Sequence, residues 1–461
     1  MRYRYRNDDE LKDSGVEWIG KVPKDWEVGK FKYSSLLYTG NSIKDNEKDN
    51  YTDSKNSYPY ISTKDINIDY NTINYNNGMY TKTNDKTFKV ANKDSILICI
   101  EGGSAGRKIS YLNQNVSFVN KLCCIQSNKI NSKYQYYYCN SDAFKTEFSL
   151  NMSGLIGGVS VSALNNFRLV NPNLFEQEKI ANFLDEKSSQ FDLIISKKEK
   201  LIERLEEAKK SLISEVVTGK VKVVKTDDGY ELVKRSIEEM KDSGVEWLGK
   251  IPKDWEVKYF KHMFNFKKGL SITKADLKES GVPCVSYGEI HSKYRFELNP
   301  SKQNLQYVDE EYLSTGTSSL LEYGDFIFCD TSEDLNGCGN FTYLNEYSKV
   351  FAGYHTIIAR ANKEINYRYM AYLFDSNDWR FQIRSKVSGI KVFSITQSIL
   401  KTTTVIQPYL IEQKHISDYL DIKCNGINHT IDKTKLQIEK LKEAKQSLIS
   451  EAVTGKIEIL D

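Results

Sequence analysis

The sequence is poor in the residues that build disulfide frameworks, extended linkers and nucleotide-binding loops. Its 461 residues include only 7 Pro, so long proline-rich linkers are excluded. The 8 Cys are scattered and none forms a C-x-x-C pair, which argues against a disulfide framework or a zinc site and indicates reduced, cytoplasmic thiols. No G-x-x-x-x-G-K-[ST] loop is present, so we expect no ATPase activity from this chain.

Long apolar runs and a strong net charge are also missing. No stretch approaches 18 consecutive apolar residues, and residues 1–10 have no apolar centre, so we predict neither a membrane span nor a signal peptide. The net charge is only +3, but basic residues are concentrated locally. Lys and Arg outnumber Asp and Glu by nine to three between 81 and 140, and by eight to three between 360 and 401. Both stretches are rich in Tyr and Phe, the mixture expected where a surface meets nucleic acid.

What the chain does contain is a long internal repeat. "KDSGVEWIGKVPKDWEV" (12–28) returns as "KDSGVEWLGKIPKDWEV" (241–257), with 15 of 17 positions identical. "EAKKSLISEVVTGK" (207–220) returns as "EAKQSLISEAVTGK" (443–456), with 12 of 14 identical. Between these motifs the correspondence weakens, and the offset grows from 229 to 236 residues. A period of this length predicts two domain-sized units rather than a solenoid.

Each repeat is expected to have two parts. The first part, about 17–165 and 246–400, carries short β-rich segments bounded by Gly, Asn, Asp and Ser. Helical patches such as 367–383 lie between them, so we predict a mixed α/β core. The second part, 176–218 and 412–454, has no proline and is rich in Glu, Lys, Leu and Ala, which is typical of a long helix.

The helical part carries an apolar seam with alternating spacings of three and four residues. A helix of this length with one narrow apolar stripe is unstable alone, so we predict that the two helices pair antiparallel within the chain. Gly219 and Gly455 stand where helix C-caps are expected, while Cys424 and Gly426 suggest a break in the second helix. The predicted seam residues are Ile194, Leu201, Leu205, Leu212, Ile438, Leu441 and Leu448.

These repeated motifs resemble the specificity subunit of Type I restriction–modification systems. The resemblance rests on "SGVEWIGKVPKDWEV", on the helix start P-x-L-x-E-Q-x-x-I-x-x-x-L at 172–184 and 408–420, and on the helix end "LISEVVTGK". Each is present twice, in the same order, and together they cover essentially the whole chain. The resemblance implies an α+β chain in which two pseudo-repeated α/β target-recognition domains are joined by two long helices. Those helices would form an intramolecular antiparallel coiled coil.

On this resemblance, each recognition domain reads one half of a bipartite double-stranded DNA site, and the helix pair fixes the gap between the halves. The subunit itself would be non-catalytic and would bind no cofactor. Its implied partners are methyltransferase subunits, which use S-adenosylmethionine to methylate adenine, and motor-nuclease restriction subunits, which use ATP and Mg²⁺ to cleave DNA. No membrane partner is implied.

The repeat also indicates which residues form a common frame. Trp18 and Trp26 recur as Trp247 and Trp255 in nearly unchanged surroundings. A base-reading residue should differ between two readers, so we predict that these tryptophans pin each domain to the helical frame or to a partner subunit. The predicted segments are a first target-recognition domain at 1–168, a first spacer helix at 169–222, a linker at 223–245, a second target-recognition domain at 246–404 and a second spacer helix at 405–461.

Candidate DNA-contacting residues follow from chemistry and position. Arg and Lys can bridge guanine or hold phosphate, and Asn can grip adenine. In the first repeat the candidates lie on or beside the Gly-rich loop 102–106 and at 120–121; in the second they lie on the loop 266–274 and around the turn at Gly389. An exposed basic side chain can equally be plain solvated surface. The candidates are Arg107, Lys108, Asn120, Lys121, Lys267, Lys268, Arg380, Arg384, Lys386 and Lys391.

Motifs for catalysis are weak. "NPNLF" (171–175) lacks the second proline of an adenine-methyltransferase base pocket. "GGSAG" (102–106) places Ser104 as a nominal nucleophile, but all five His lie in the other repeat, so we predict a tight turn between strands instead. We therefore predict no catalytic and no metal site. Two alternatives stay open: a coiled-coil scaffold that organises partners without reading DNA, and a fused modification–restriction enzyme.

Overall fold

The chain divides into two compact units, each holding one recognition domain and parts of both long helices. Unit 1 comprises residues 1–200 and 434–461, and unit 2 comprises residues 201–433. The long helices, Leu174–Val217 and Leu410–Val453, each contribute one half to each unit. The computed structural model describes three stretches of the chain: 2–154, 157–389 and 391–460.

Unit 1 is centred on a four-stranded antiparallel sheet. Successive side chains of a strand point to opposite faces, so Ile96 and Ile98 join the core cluster that contains the domain's helices, while Leu97 and Cys99 join a second cluster on the other face. Burial of both faces explains why the sequence reads here as the unbroken apolar run "ILICI". The strands follow the order Ile109–Tyr111, Ile96–Cys99, Leu122–Ser127 and Ser35–Thr39.

A second sheet and three short helices complete the recognition domain of unit 1. The helices each begin after an Asn or Ser whose side chain accepts a hydrogen bond from a backbone N–H of the first turn, as N-cap residues do. They are Ser132–Cys139, Asp142–Leu150 and Val161–Leu164. The second sheet has a parallel central pair and the order Tyr80–Lys82, Ser57–Ile61, Val116–Phe118 and Val90–Ala91.

Short pairings and 3-10 turns form the rest of unit 1. The two-stranded pairings, all antiparallel, are Leu11–Asp13 with Lys21–Pro23, Glu27–Lys30 with Arg168–Asn171, and Arg2–Tyr5 with Ile457–Leu460. The 3-10 helices are Asp8–Glu10, Phe31–Tyr33, Asp45–Tyr51 and Thr63–Asp65. Because the pairing near the chain ends joins residues 2–5 to 457–460, it brings the strand after the second long helix back onto unit 1.

Unit 2 repeats this plan on a five-stranded sheet. Phe326 and Phe328 face the core cluster that contains the helices, and Ile327 and Cys329 face the opposite cluster, in the same alternation as in unit 1. The order is Phe264–Lys268, Thr356–Ala361, Phe326–Cys329, Phe341–Leu344 and Phe296–Leu298, with only the last pair parallel.

The smaller elements of unit 2 are as follows. A three-stranded sheet has the order Gln306–Val308, Val282–Val285 and Phe351–Ala352. Two-stranded pairings join Met240–Asp242 to Lys250–Pro252, Glu256–Tyr259 to Thr404–Gln407, and Thr331–Ser332 to Phe393–Ser394. The helices besides the long ones are Tyr287–Ser292, Tyr312–Thr315, Tyr367–Asp375, Asn377–Arg384 and Gln397–Lys401. The 3-10 helices are Ile237–Glu239, Phe260–His262, Lys274–Asp276 and Thr317–Ser319.

The segment interpreted from sequence as a linker contains regular structure. A β-hairpin pairs Val221–Thr226 with Gly229–Lys234, and residues 240–242 belong to a further strand. The hairpin follows the first long helix as the strand Ile457–Leu460 follows the second. The domain limits derived from sequence therefore remain predictions, and a hairpin occupies much of the stretch between them.

Each long helix spans 44 residues, about 66 Å at 1.5 Å per residue. The break suggested by Cys424 and Gly426 is wrong, since the second helix runs unbroken from Leu410 to Val453. Cys424 is buried in the core of unit 2, whereas Gly426 faces open space. Among the described residues, no helix combines the length and apolar character needed to cross a bilayer.

The two helices pack antiparallel. In unit 1 the Lys445 ammonium donates to Asp192 at 2.7 Å and Lys198 donates to Gln437 at 2.7 Å, so numbers rise along one helix as they fall along the other. In unit 2, Lys209 donates to the Asn428 side chain at 2.8 Å. Charged side chains therefore flank the apolar stripe, as in a coiled coil.

The seam predicted for the first helix is displaced by one residue in its N-terminal half. Ile194 and Leu201 are each 43% exposed, while Ile195 is only 3% exposed and Ile202 is half-buried. The predicted Leu205 and Leu212 are half-buried. On the second helix Ile438 is buried and Leu441 and Leu448 are half-buried. The interruption at Lys198 hides the register, because the aliphatic runs 193–195 and 201–202 allow the same helical spacing to start at either of two adjacent residues.

Candidate nucleic-acid interface

Each recognition domain is fixed to its long helix by the same three side chains. In unit 1 the Trp26 indole N–H donates to Glu176 at 3.0 Å, and the Arg6 guanidinium lies 5.7 Å from the Trp26 ring centre. Arg6 also lies 3.6 Å from the Glu176 carboxylate, so tryptophan and arginine hold one acid near the helix start. Burial is the main reason that the pKa of Glu176 is raised.

Unit 2 repeats this cluster atom for atom. Trp255 donates to Glu412 at 2.9 Å, Arg235 forms an ion pair with Glu412 at 2.5 Å, and Arg235 lies 5.6 Å from the Trp255 ring centre. The prediction that the tryptophans pin the domains to the helical frame is confirmed for Trp26 and Trp255, and it stays a prediction for Trp18 and Trp247. Neither indole is available to stack on a base, because both rings are buried.

The glycines predicted as helix caps close the same clusters. Both helices end in a left-handed glycine, Gly219 at φ +73° and Gly455 at φ +74°. Lys220 N–H donates to Glu215 O at 2.9 Å and Lys456 N–H to Glu451 O at 2.9 Å, the Schellman pattern. Each glycine also lies against a tryptophan of the frame: a Cβ on Gly455 would meet the Trp26 ring at 2.8 Å.

The loops at one end of the strand Leu122–Ser127 lie away from this attachment cluster. In unit 1 the strand Leu122–Ser127 ends beside Gln135, on a helix whose Tyr134 hydroxyl donates to Val453 O of the long helix at 3.0 Å. Lys121 stands at the other end, about 20 Å away at 3.3 Å per residue. The domain therefore presents its divergent loops at the end opposite its conserved attachment.

The structure brings the four candidates of unit 1 to this loop end. Arg107 ends the Gly-rich loop, which is a tight turn as predicted, because Ala105 N–H donates to Gly102 O at 2.9 Å and Arg107 N–H to Ser104 O at 3.1 Å. Arg107, Asn120 and Lys121 are exposed. Lys108 is half-buried and its ammonium donates to Thr63 O at 2.6 Å, so it supports the neighbouring loop.

Two of the candidates in unit 2 lie at the corresponding end of its sheet. Lys268 is exposed and Lys267 is half-buried, and their strand runs on to Gly269, whose N–H donates to Thr356 O at 3.0 Å. The backbone cannot carry a Cβ at Gly269, because it would lie 2.0 Å from Gly353 O. This close approach holds the basic end of the strand Phe264–Lys268 against the start of the strand Thr356–Ala361.

Arg380 is placed where it cannot contact DNA. Only 3% of it is exposed, and its guanidinium donates to Asn340 at 2.8 Å, Asp375 at 2.8 Å and Phe374 O at 3.2 Å. Burial lowers the pKa of Arg380 to about 10, with Asp375 opposing the shift. Its sequence context, a basic residue in a helical patch, gave no sign that the side chain turns inward.

The other three basic candidates of unit 2 surround the turn at Gly389. Lys386 and Lys391 are exposed, and Lys386 donates to the Thr402 hydroxyl at 3.0 Å. Arg384 is half-buried and donates to Asn336 O at 3.0 Å, and burial is the main reason that its pKa is lowered. Arg384 and Lys386 therefore each have a hydrogen-bond partner within the domain, and DNA contact stays a prediction for all three residues.

The structure adds to this surface residues that the sequence patterns did not select. His355 immediately precedes the strand Thr356–Ala361 of unit 2, and its Nδ1 lies 3.0 Å from the Asp330 carboxylate. The Tyr287 and Tyr354 rings lie 5.2 and 5.9 Å from its ring centre. Tyrosine-rich composition was the only available signal, because the loops of the two repeats do not align.

Comparison with known proteins defines the class. Residues 23–206 and 252–440 match the Type I restriction modification DNA specificity domain. The chain belongs to this family, and it carries the domain twice. It is 23% identical over 449 residues to the Type I restriction enzyme MjaVIII specificity subunit of Methanocaldococcus jannaschii, covering 95% of this chain and 94% of that one. It is also 22% identical over 463 residues to the putative MjaX specificity subunit of the same organism, covering 96% of each.

A solved structure shares the fold. It is described as "Structural basis underlying complex assembly and conformational transition of the type I R-M system", and one of its chains superposes with a TM-score of 0.69 at 12% identity, over 94% of this chain and 99% of that one. The predicted resemblance and the predicted architecture of two repeated α/β domains with paired long helices are confirmed. The chain is a Type I restriction–modification specificity subunit, the non-catalytic component that recognises the DNA target.

Proposed function

We propose that this subunit reads a bipartite double-stranded DNA site, each recognition domain binding one half. The observation that supports this is the combination of an identical frame with different surfaces. Both units hold their domain through the same Arg–Trp–Glu cluster. At the loop end, however, unit 1 has Asn120 and Lys121 where unit 2 has Tyr354 and His355. Two different readers on matching supports recognise two different half-sites a fixed distance apart.

The methyltransferase subunits are proposed to dock at surfaces present once in each unit. The first turn of each long helix exposes an apolar pair, Leu174 with Phe175 in unit 1 and Leu410 with Ile411 in unit 2. Phe175 is 72% exposed and Ile411 is 62% exposed. Apolar side chains left uncovered at matching positions of both repeats favour a partner that binds in two equivalent copies.

The chemistry of the complex is proposed to lie on its partners. Methyltransferase subunits would bind S-adenosylmethionine and methylate an adenine in each half-site, and motor-nuclease subunits would use ATP and Mg²⁺ to cleave unmodified DNA. The role of this chain is to bind both half-sites and both methyltransferases at once. We place this activity in the cytoplasm, where the eight buried thiols would stay reduced.

The experiment that tests the DNA proposal is a genome-wide map of N6-methyladenine with the gene intact and deleted. We expect one motif made of two defined halves with a fixed unspecified gap, which vanishes on deletion. An unchanged methylation map, with the partner genes expressed, would favour the alternative of a scaffold that does not read DNA. Direct binding of the assembled complex to DNA fragments from the same genome would then decide between a silent system and a scaffold.

The docking proposal is tested by counting methyltransferase copies on the purified chain. Phe175→Glu should remove one copy, Ile411→Glu the other, and the double variant both. Tyr347→Glu is the matched control, because Tyr347 is 87% exposed but does not lie at the start of a long helix. Retention of both copies by the double variant would refute this docking surface.

A further inference from the structure

Lys121 and His355 occupy the same position in the two recognition domains. In unit 1, Ile100 N–H donates to Lys121 O at 3.0 Å and Ile100 O accepts from Val159 N–H at 2.9 Å. In unit 2, Asp330 N–H donates to His355 O at 3.1 Å and Asp330 O accepts from Ile395 N–H at 2.7 Å. Two backbone hydrogen bonds are therefore shared at this point, although the surrounding sequences do not align and only His355, not Lys121, has a left-handed backbone.

The side chains at this position differ in chemistry. Lys121 extends beside Glu101, with 3.9 Å between its ammonium and the carboxylate, and about half of each side chain is exposed. His355 lies 3.0 Å from Asp330 and is 55% exposed, and Asp330 also accepts from the Thr331 hydroxyl at 2.8 Å. Each domain thus presents a basic side chain oriented by an acid, but one is an ammonium and the other an imidazole.

His355 is held in a costly backbone conformation. Its φ of +56° lies in the left-handed region, which is unfavourable for a non-glycine residue. The surrounding backbone hydrogen bonds and the rings of Tyr287 and Tyr354 fix the imidazole there. A strained residue held by its surroundings, partly exposed and paired with an acid, is characteristic of a functional position rather than of a loop tip.

The neighbours of His355 suit a nucleic-acid surface. Lys268 pairs in register with Ile357, two residues after His355, and so lies at the same end of the sheet as His355. In unit 1 the residue at the matching register position is Thr39, which pairs with Cys123, two residues after Lys121. Asn120, next to Lys121 in the chain, accepts from Ser42 at 2.6 Å. Lys268 can hold phosphate while His355 reaches a base edge.

We propose that Lys121 and His355 are corresponding base-reading residues, each contacting one base of the half-site that its domain binds. This inference rests on the proposed function and deepens it. Lys121 is a donor only, so it reads an acceptor such as guanine O6 or N7. When the His355 imidazole is neutral, the bond from Nδ1–H to Asp330 leaves Nε2 as an acceptor, and it then reads a base amino group, that of adenine or cytosine.

The test exchanges the two side chains in the full chain, assembled with its methyltransferase subunits. His355→Lys should change one position in the second half-site, lowering preference for the original base by roughly 5- to 150-fold, the equivalent of 1–3 kcal/mol. Lys121→His should change one position in the first half-site. Binding selection on randomised DNA, together with a methylation map, measures both. His429→Lys, at an exposed histidine of the second long helix, is the matched control and should leave the motif intact.

Each result supports or overturns the proposal. Because lysine tolerates a left-handed backbone poorly, His355→Asn is the second variant, since asparagine adopts that conformation more readily and lacks the imidazole. A folded, active His355→Asn complex with an unchanged motif overturns the base-reading role, and so does a uniform loss of affinity for all sequences. Failure of the proposed function looks different, because the unmodified complex would then select no bipartite motif at all.

Discussion

The glycine caps offer the sharpest test of how the recognition domains are attached. Gly455 has φ +74°, and a Cβ there would lie 2.4 Å from Pro23 Cδ and 2.8 Å from the Trp26 ring. In Gly455→Ala the left-handed backbone costs about 1–2 kcal/mol. Moving the Trp26 ring aside also weakens its 3.0 Å bond to Glu176, and a buried group that loses its partner costs about 1–3 kcal/mol. We therefore expect Gly455→Ala to lower the free energy of unfolding of unit 1 by about 2–5 kcal/mol.

Gly426→Ala provides a control of opposite sign. Gly426 lies inside the second long helix, and a Cβ there would meet nothing within 4 Å. Alanine in a helix interior is favoured over glycine by about 0.8–1.0 kcal/mol, so this variant should be stabilised. The same substitution on the same helix thus separates the effect of the cap from the effect of removing a glycine.

The assay must report on each unit separately, because a chain of two units need not unfold in one step. Hydrogen exchange followed by mass spectrometry meets this need. Gly455→Ala should speed exchange in peptides covering 21–28 and 449–456 while leaving 252–257 protected. Gly219→Ala should do the reverse, since its Cβ would lie 2.5 Å from Pro252 Cδ. Unchanged protection in 21–28 for Gly455→Ala, or lost protection for Gly426→Ala, would refute the reasoning.

Three further predictions test the seam, a buried acid and a buried arginine. Ile195→Ala should destabilise the helix pair by about 2–4 kcal/mol and Ile194→Ala by less than about 1 kcal/mol, measured by thermal unfolding; equal effects would contradict the register. Burial raises the pKa of Glu147, so the native state keeps a proton that the unfolded chain has lost, and stability should fall as pH rises just above the ordinary carboxyl range; Glu147→Gln should flatten that slope in urea titrations. Arg380→Ala should lower the local stability of unit 2 by about 3–5 kcal/mol and should not change a single base of the recognised motif. A folded variant with a changed motif would show that Arg380 does read DNA.

The attachment of each domain to its long helix was predictable because the motifs that form it occur twice in the sequence. Trp26 and Trp255 recur within nearly identical motifs, as do the glycines and acids around them, and the structure joins each tryptophan to the acid at the start of its long helix. Even where the repeats differ, geometry preserves the role: Glu147 accepts from Arg168 N–H, and Gln382 accepts from Thr404 N–H in the other unit. A matched glutamine is consistent with a role for Glu147 as a hydrogen-bond acceptor, for which its charge is not required.

The seam of the first helix was harder, because periodicity alone does not fix a register. Ile194 and Ile195 are equally apolar, and a lysine at 198 occupies the position that should have decided between them. Lys198 sits on the stripe with its stem half-buried and its ammonium at Gln437, so a polar residue in the seam shifted the predicted spacing by one. On the second helix Ile431 and Ile438, seven residues apart, are both buried, but near the end of the helix Ile449 is buried and the predicted Leu448 is half-buried.

The reading surface could be predicted only in part, for a reason that lies in its function. Residues that must differ between two half-sites cannot be found by repetition, so chemistry was the only guide, and it selected exposed Lys121 and buried Arg380 with equal weight. What identifies His355 is its position: a carbonyl that accepts from Asp330 N–H where Lys121 O accepts from Ile100 N–H. Backbone hydrogen bonds repeat even where the side chains diverge, so the residues that give this subunit its sequence specificity are best sought by matching these bonds between the two units.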